Sequence, residues 1–127
     1  MTFDMQANLM EILTGFKITG GIEAALVASR SGVHLASLVP ARYNPDTLAA
    51  ICSAVHSAAD IISSQVEQGT PHRVVIECEH CKLVMTKAGE KALFIVLASA
   101  NSNLGPLFMK MDTTASKIEE LLGDFHQ

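Results

Sequence analysis

The chain has 127 residues, a net charge of −4 and a mean hydropathy of +0.30. Its length predicts one domain over residues 1–127, long enough to bury a core without disulfides. The acidic balance and the lack of a basic stripe exclude nucleic acid as the main ligand, and apolar runs shorter than about 18 residues predict no membrane insertion. Three cysteines make no disulfide framework and no signal peptide is evident, so we expect a cytoplasmic setting.

The first third of the chain predicts one helix and two strands. Residues 2–17 repeat apolar side chains at three- and four-residue steps, as an amphipathic helix does. Residues 22–30 alternate with both faces largely apolar, which is expected of an interior strand. Ser31 and Gly32 are a two-residue hairpin signal, so residues 33–39 are predicted to form the return strand.

Residues 44–67 predict a long central helix with little charge. Asn44 is a good N-cap and Pro45 suits the first helical position. One apolar stripe is made by Leu48, Ile51, Cys52, Val55, Ala59, Ile62 and Val66. The opposite, small-residue side is made by Ala50, Ala54, Ser57, Ala58 and Ile61. A helix short of charge on both sides is usually covered on both sides, so we infer a second protein surface there; an alanine-rich solvent face is the alternative.

Three further strands and a last helix are predicted after the central helix. Residues 72–79 form a strand with one more polar face, which favours an edge position. That face is made by Arg73, Val75 and Glu77. Residues 81–87 follow a tight turn, and residues 92–99 are apolar throughout, as expected of a central strand. Residues 105–122 form an amphipathic helix with an ordinary charged side.

The predicted order of elements is therefore α-β-β-α-β-β-β-α. Strands that are joined by tight turns pair in an antiparallel manner. Five such strands and three helices predict an α+β fold, in which a mainly antiparallel five-stranded sheet carries helices on both faces.

The one sharp chemical motif is Cys-Glu-His-Cys, which runs from Cys78 to Cys81. A C-x-x-C turn can present two thiolates to zinc, and Cys52 and His56 could add two ligands from the central helix. The simpler alternative is that Cys78 is a small core residue. A redox dithiol normally opens a helix, whereas this pair lies in a predicted hairpin. We expect no metal and no cofactor, with a metal or redox module at this pair as an alternative.

No arrangement of residues in the sequence matches an enzyme site. There is no nucleophile elbow, no glycine-rich nucleotide loop and no acidic calcium loop. We therefore expect a protein that is not an enzyme. A PAS or profilin-like sensor with a pocket between sheet and helices is the alternative from another class, although convergent polar groups for such a pocket are not evident.

Two segments resemble the roadblock/dynein light-chain family. Residues 21–37 (GIEAALVASRSGVHLAS) resemble its opening hairpin, with the pattern G-x-x-A-A-x-V-(A/V)-S-x-(D/S)-G. Asn103, Leu104 and Gly105 resemble the N-L-G entry to its final helix. The order of elements is also that of the family, and the resemblance covers residues 9–122.

The resemblance implies a roadblock/profilin-like fold and a non-catalytic protein that pairs with itself or with a second roadblock chain. Family members join edge strands into one sheet and place their long helices side by side. The interface residues implied here are Ala50, Ala54, Ser57, Ala58, Ile61, Arg73, Val75 and Glu77. Many prokaryotic members are similar to MglB-type regulators of small Ras-like GTPases. The sequence departs from the family at Glu79 and His80, where an acidic residue followed by glycine is common.

The resemblance thus leads us to expect a dimeric scaffold that binds a small Ras-like GTPase near the paired helices and modulates its activity or localisation. Arg30, Arg42 and Arg73 are the only arginines of the chain. Nothing in the sequence around them marks an arginine finger, so no direct contribution to GTP hydrolysis is expected.

Overall fold

The computed structural model describes residues 4–123, which form a five-stranded antiparallel sheet with helices on both faces. The elements in chain order are α1 (Met5–Lys17), β1 (Ile22–Ser29), β2 (His34–Leu38), α2 (Pro45–Gln65), β3 (Arg73–Glu77), β4 (Cys81–Ala88), β5 (Ala92–Ser99) and α3 (Leu104–Gly123). The strand order β2-β1-β5-β4-β3 places β5 in the centre and β2 and β3 at the edges. The predicted α+β architecture, the central strand and the edge strand after the long helix are confirmed.

The turn between β1 and β2 is longer than the predicted two-residue hairpin. The N–H of Ser29 donates to the carbonyl oxygen of Val33 at 2.8 Å, so three residues lie between the hydrogen-bonded pair. Gly32 has a φ of +97°, and a Cβ there would lie 3.3 Å from the Cα of Ala50 in α2. Glycine is required at this position because the turn passes directly against the helix backbone.

The central strand β5 is apolar throughout because helices cover both of its faces. Phe94 and Val96 are fully buried in the larger core, between the sheet and the layer of α1 and α3. The Phe94 ring packs edge-on against Phe16 of α1, with the ring centroids 5.0 Å apart. Leu93 and Ile95 point to the opposite face and belong to the smaller core under α2. The alternation of β5 therefore joins two separate cores.

The helix α2 covers only part of its face of the sheet. Its main contacts are with β1 and β2, whereas on the other face α1 and α3 together contact β1, β2, β4 and β5. Leu83 of β4 is only half-buried, and Ile76 of β3 is 38% exposed. The open part of the sheet on the α2 face lies beside the long helix, which is where the candidate site is found.

Candidate interaction surface

The helix α2 begins at a polar cap that its sequence encodes. The Oδ1 atom of Asn44 accepts hydrogen bonds from the backbone N–H groups of Asp46 at 2.9 Å and Thr47 at 3.2 Å. Pro45 occupies the first helical position, where no N–H donor is needed. The predicted N-terminus of the helix is therefore confirmed, and the helix continues to Gln65.

Small and polar side chains of α2 face the sheet. The buried residues of this helix are Ala49, Cys52, Ser53 and His56. Within the predicted apolar stripe, Ile51, Ile62 and Val66 are instead 56%, 64% and 56% exposed. The prediction that this stripe packs against the chain's own sheet is therefore wrong for these three residues. Small side chains occupy the contact because they let the helix axis approach the sheet closely, and this rotates the large side chains outward.

Large aliphatic residues line one side of α2 as far as its C-cap; two of them are half-buried and three are exposed, and we call this side the apolar flank. Its members are Leu48, Ile51, Val55, Ile62 and Val66. Leu48 and Val55 reach the smaller core next to Met85 and Leu93, so the flank is directed toward β4 and β3 rather than toward β2. No charged side chain interrupts it.

The apolar flank continues onto the open part of the sheet. Val74 and Ile76 of β3 lie on the α2 face, where Ile76 pairs with Leu83 of β4. A cleft of about 240 Å³ opens between Tyr43 and Leu48 on one side and the strands on the other, and its lining is almost entirely aliphatic. We call the apolar flank together with Val74, Ile76 and Leu83 the α2–β3 surface. A contiguous exposed apolar area of this kind is typical of an interaction site.

A partly buried polar cluster holds α2 in this orientation. Arg30, in the turn after β1, donates from Nη2 to Oδ2 of Asp60 at 2.8 Å. Its carbonyl oxygen accepts a hydrogen bond from the Ser53 hydroxyl. His56 is completely buried, and its Nδ1 lies 3.6 Å from the same Asp60 oxygen. These contacts tie one side of the helix to the β1–β2 turn, which keeps the apolar flank on the opposite side exposed.

The buried imidazole of His56 is held in its neutral form. Neither ring nitrogen has a hydrogen-bond partner among residues 4–123. Burial lowers the pKa of His56, and the positive charges of Arg30 and Lys87 add to this effect, while the carboxylate of Asp60 opposes it. Protonation of His56 therefore disfavours the folded chain.

We expect the free energy of unfolding to rise with pH up to about pH 6.5, the ordinary pKa of histidine, and to level off above it. The unfolded chain protonates residue 56 at a higher pH than the folded chain does, so it binds more protons in this window. The slope contributed by His56 is at most about 1.4 kcal/mol per pH unit. Urea unfolding between pH 5 and pH 8 measures it, and His56→Gln is expected to flatten the curve. His80→Gln, in the exposed turn after β3, is the control and should leave the slope intact.

Residues 9–98 match the family model of the Roadblock/LC7 domain. This chain belongs to the Roadblock/LC7 domain family. Two relatives come from Methanocaldococcus jannaschii: the uncharacterized protein MJ0310, 32% identical over 110 residues that make up 87% of this chain and 96% of the relative, and MJ0714, 29% identical over 117 residues that make up 92% and 98%.

Solved structures show the same roadblock fold. MglB from Myxococcus xanthus superposes with a TM-score of 0.90 at 11% identity, covering 100% of this chain and 96% of MglB. The gliding protein MglB from Thermus thermophilus gives 0.84 at 19% identity, over 98% and 95% of the two chains. A Roadblock/LC7 domain from Streptomyces avermitilis gives 0.82 at 19% identity, over 88% and 95%. The resemblance drawn from the hairpin and from the order of elements is therefore confirmed.

The interface residues that the sequence analysis selected lie on two different faces of this roadblock chain. Those on α2, all exposed, are Ala50, Ala54, Ser57, Ala58 and Ile61. Arg73, Val75 and Glu77 lie on the α3 side of β3, because Arg73 pairs with both carboxylate oxygens of Asp112 at 2.8 Å and lies 4.4 Å from the centre of the Phe108 ring. The structure thus does not bring the two groups of side chains together, and their role at an interface stays a prediction.

Sequence reasoning did not select the residues of β3 that share a face with α2. Val74 and Ile76 were separated correctly from Arg73 by the period-two alternation of the strand. Alternation alone does not tell which of the two faces meets the long helix. One signal in the sequence was available. The more apolar face of an edge strand is the one expected to be covered by a partner when it lies beside a helix with little charge.

The cysteines of the proposed metal alternative are not gathered into one site. Cys52 is buried under α2, and this burial raises the pKa of its thiol. Cys78 and Cys81 lie instead at the turn between β3 and β4. Within the described part of the chain, no three His, Cys, Asp or Glu side chains are arranged to hold a metal ion. The interpretation of Cys78 as a core residue is wrong, because its side chain is exposed.

Among residues 4–123, α2 is the one helix long and apolar enough to cross a membrane by length and composition alone, with a mean hydropathy of 1.2. The same composition is expected of a helix that lies between its own sheet and a second protein. The ion pair between Arg30 and Asp60 ties α2 to the sheet. The composition of α2 therefore agrees with a docking surface on a folded domain.

Proposed function

We propose that this chain is a non-catalytic, cytoplasmic roadblock subunit that pairs through its α2–β3 surface and, as a pair, binds a small Ras-like GTPase and modulates its activity or localisation. The observation that carries the proposal is the exposed, uncharged apolar flank of α2. Ile51, Ile62 and Val66 each leave more than half of their surface in solvent in the single chain. Their cover by a second protein removes that area from water, which contributes roughly 25 cal/mol for each Å².

A second copy of this chain, or a second roadblock chain, is the partner that best suits this surface. An apolar helix side needs no oppositely charged partner surface. The same side of a second copy can therefore pack against it about a two-fold axis. The edge strand β3 lies on the same border of the sheet, and its outer backbone groups are free to pair with another strand. An MglB structure is described as a tetrameric arrangement, which agrees with self-association in this family.

Two of the three arginines support a regulator that does not itself supply a catalytic residue. Arg30 is held by Asp60 and Arg73 by Asp112, each at 2.8 Å. Arg42 is exposed in the loop before α2, 4.8 Å from the centre of the neighbouring Tyr43 ring, and has no ion pair among residues 4–123. An arginine finger must be free to reach the transferred phosphate of a partner. A regulator of this architecture acts by binding the GTPase and rearranging the switch segments of that GTPase.

In the sensor alternative, the ligand site is the apolar cleft that lies between the sheet on one side and Tyr43 and Leu48 on the other. At about 240 Å³ the cleft is smaller than ordinary ligand pockets, which span about 300–1,000 Å³. The Tyr43 hydroxyl and the Cys81 thiol are the polar side-chain groups among its lining residues. This lining offers too few groups to orient a small molecule, so the protein–protein function is the better supported one.

The GTPase partner is tested by affinity capture from the host lysate with the full chain as bait. GDP is added to one sample and a non-hydrolysable GTP analogue to the other, and bound proteins are identified by mass spectrometry. We expect a Ras-like GTPase in the analogue sample, and its loss when the bait is the Ile62→Glu variant that cannot pair. Purified GTPase with the same two baits then measures GTP hydrolysis. A wild-type bait that is dimeric and retains no GTPase with either nucleotide would refute the proposed role as a GTPase regulator. The protein would then be better explained as a scaffold of another complex.

A further inference from the structure

The turn between β3 and β4 brings two cysteines face to face. The backbone N–H of Cys78 donates to the carbonyl oxygen of Cys81 at 2.8 Å, across a turn formed by Glu79 and His80. Residues directly opposite each other on antiparallel strands have Cα atoms about 4.5–5.5 Å apart. That separation lies within the roughly 4.4–6.8 Å that a disulfide bridges. The turn therefore places both sulfur atoms in reach of one another without movement of the strands.

Both thiols point to the α2 face of the sheet but differ in exposure. Cys78 follows Ile76 by two residues and Cys81 precedes Leu83 by two, and Ile76 and Leu83 are paired on that face. Cys78 is exposed, whereas Cys81 is half-buried and lines the apolar cleft. Burial, followed by the hydrogen bond with the Cys78 thiol, raises the pKa of Cys81. Cys78 is thus the accessible thiol and Cys81 the sheltered one behind it.

The surroundings of the pair suit a disulfide better than a metal ion. Two thiolates supply half of a tetrahedral zinc shell. Glu79 and His80, in the turn itself, have side chains 89% and 91% exposed. In the described part of the chain no third ligand is placed beside the two sulfur atoms. Exposed disulfides in short turns are readily reduced, which is the behaviour of regulatory rather than structural bridges.

We infer that Cys78 and Cys81 form a reversible dithiol–disulfide site that exchanges with low-molecular-weight disulfides. The Cys78 thiolate attacks one sulfur of the small disulfide, and the first small thiol leaves. Cys81 then loses its proton, attacks the Cys78 sulfur and displaces the second small thiol. The two protons of the protein thiols pass to the two released thiolates, so the protein is oxidised by two electrons and the small disulfide is reduced. The site needs no GTPase partner, and it requires that Cys78, at the end of β3 on the border of the α2–β3 surface, stays accessible when the chain is paired.

The site is tested on the full reduced chain with an excess of oxidised glutathione at neutral pH. Remaining thiols are blocked with N-ethylmaleimide, and trypsin then releases residues 74–82, which contain both cysteines in one peptide. We expect this peptide to be unblocked and two hydrogen atoms lighter than the reduced peptide, and to become doubly blocked when dithiothreitol treatment is followed by fresh N-ethylmaleimide.

Single substitutions separate the two roles. Cys81→Ser is expected to accumulate a lasting glutathione adduct on Cys78, because no second thiol displaces it. Cys78→Ser is expected to react about tenfold more slowly, since the remaining thiol is sheltered and less often ionised. Cys52→Ser, a change at a buried thiol on another element, should react as the wild type does.

Three results would overturn the site. The first is a wild-type peptide that remains doubly blocked or keeps a glutathione adduct. The second is a disulfide that links two chains, seen as a dimer on a non-reducing gel. The third is stoichiometric zinc in the reduced chain that is lost from both Cys78→Ser and Cys81→Ser, which would assign the pair to a metal instead.

Discussion

The Ile62→Glu chain is expected to be monomeric at concentrations where the wild type is a dimer. Ile62 is 64% exposed in the single chain and lies in the C-terminal half of the apolar flank. A carboxylate that is buried there without a partner costs about 3–5 kcal/mol, and a two-fold interface contains the substitution twice. The dissociation constant should therefore rise by about 100-fold or more. Sedimentation velocity across a concentration series measures the change.

Two matched glutamate variants show whether the apolar flank is the contact. Ser57→Glu places the same charge on the small-residue side of α2, and Ser116→Glu places it on the solvent side of α3. Ser116→Glu should remain dimeric with an unchanged far-UV spectrum. A dimeric Ile62→Glu chain beside a monomeric Ser57→Glu chain would move the interface to the small-residue side, as the sequence alone suggested. A wild type that is monomeric by itself would contradict the homodimer and favour a second roadblock chain.

The Phe94→Ala chain is expected to lose about 3–5 kcal/mol of unfolding free energy. Phe94 lies in the central strand, is completely buried and packs edge-on against Phe16 of α1. Its removal leaves a cavity between the sheet and the helix layer that the two neighbouring strands prevent from collapsing. Such a loss is a large part of the roughly 5–15 kcal/mol that stabilises a domain, and it should lower the melting temperature by about 10–20 °C.

Phe108→Ala is the matched control for the core prediction. Phe108 is half-buried on α3, under the guanidinium of Arg73 and at the border of the larger core rather than at its centre. Its removal deletes only partly exposed contacts, so the free energy of unfolding is expected to fall by about 1–2 kcal/mol. Both variants are melted at the same chain concentration as the wild type, because dimer formation raises the apparent stability. Equal losses in the two variants would contradict the placement of Phe94 at the centre of the fold.

The order of elements could be predicted because each element carries its own local signal. The apolar run of β5, the cap at Asn44 and the glycine turns each act over a few residues, and the structure has them where the patterns indicate. The turn around Gly32 was predicted one residue too short. Its length depends on the close approach of Ala50 from α2, which no local pattern records.

The candidate surface could be predicted in part. The shortage of charge on α2 can be read in the sequence. It led to the inference of a second protein surface against this helix, which stays a prediction. The small-residue side that was inferred to be uncovered is exposed in the single chain. The assignment of the apolar stripe was wrong in part, because helical periodicity gave Ile51 and Ile62 to the core, and the structure leaves both exposed as well. In the structure, the polar residues Ser53 and His56 face the core instead.

The sequence by itself determined the fold class, the family and the existence of an uncovered helix surface, because capping, alternation and charge are local properties of the chain. Only the tertiary structure decided the rotation of α2, since that depends on Arg30 meeting Asp60 from a turn distant in sequence. It also decided which face of β3 lies beside the helix and that Cys78 is exposed. These features depend on contacts between elements that are distant in sequence. The residue spacings within a single sequence do not record such contacts.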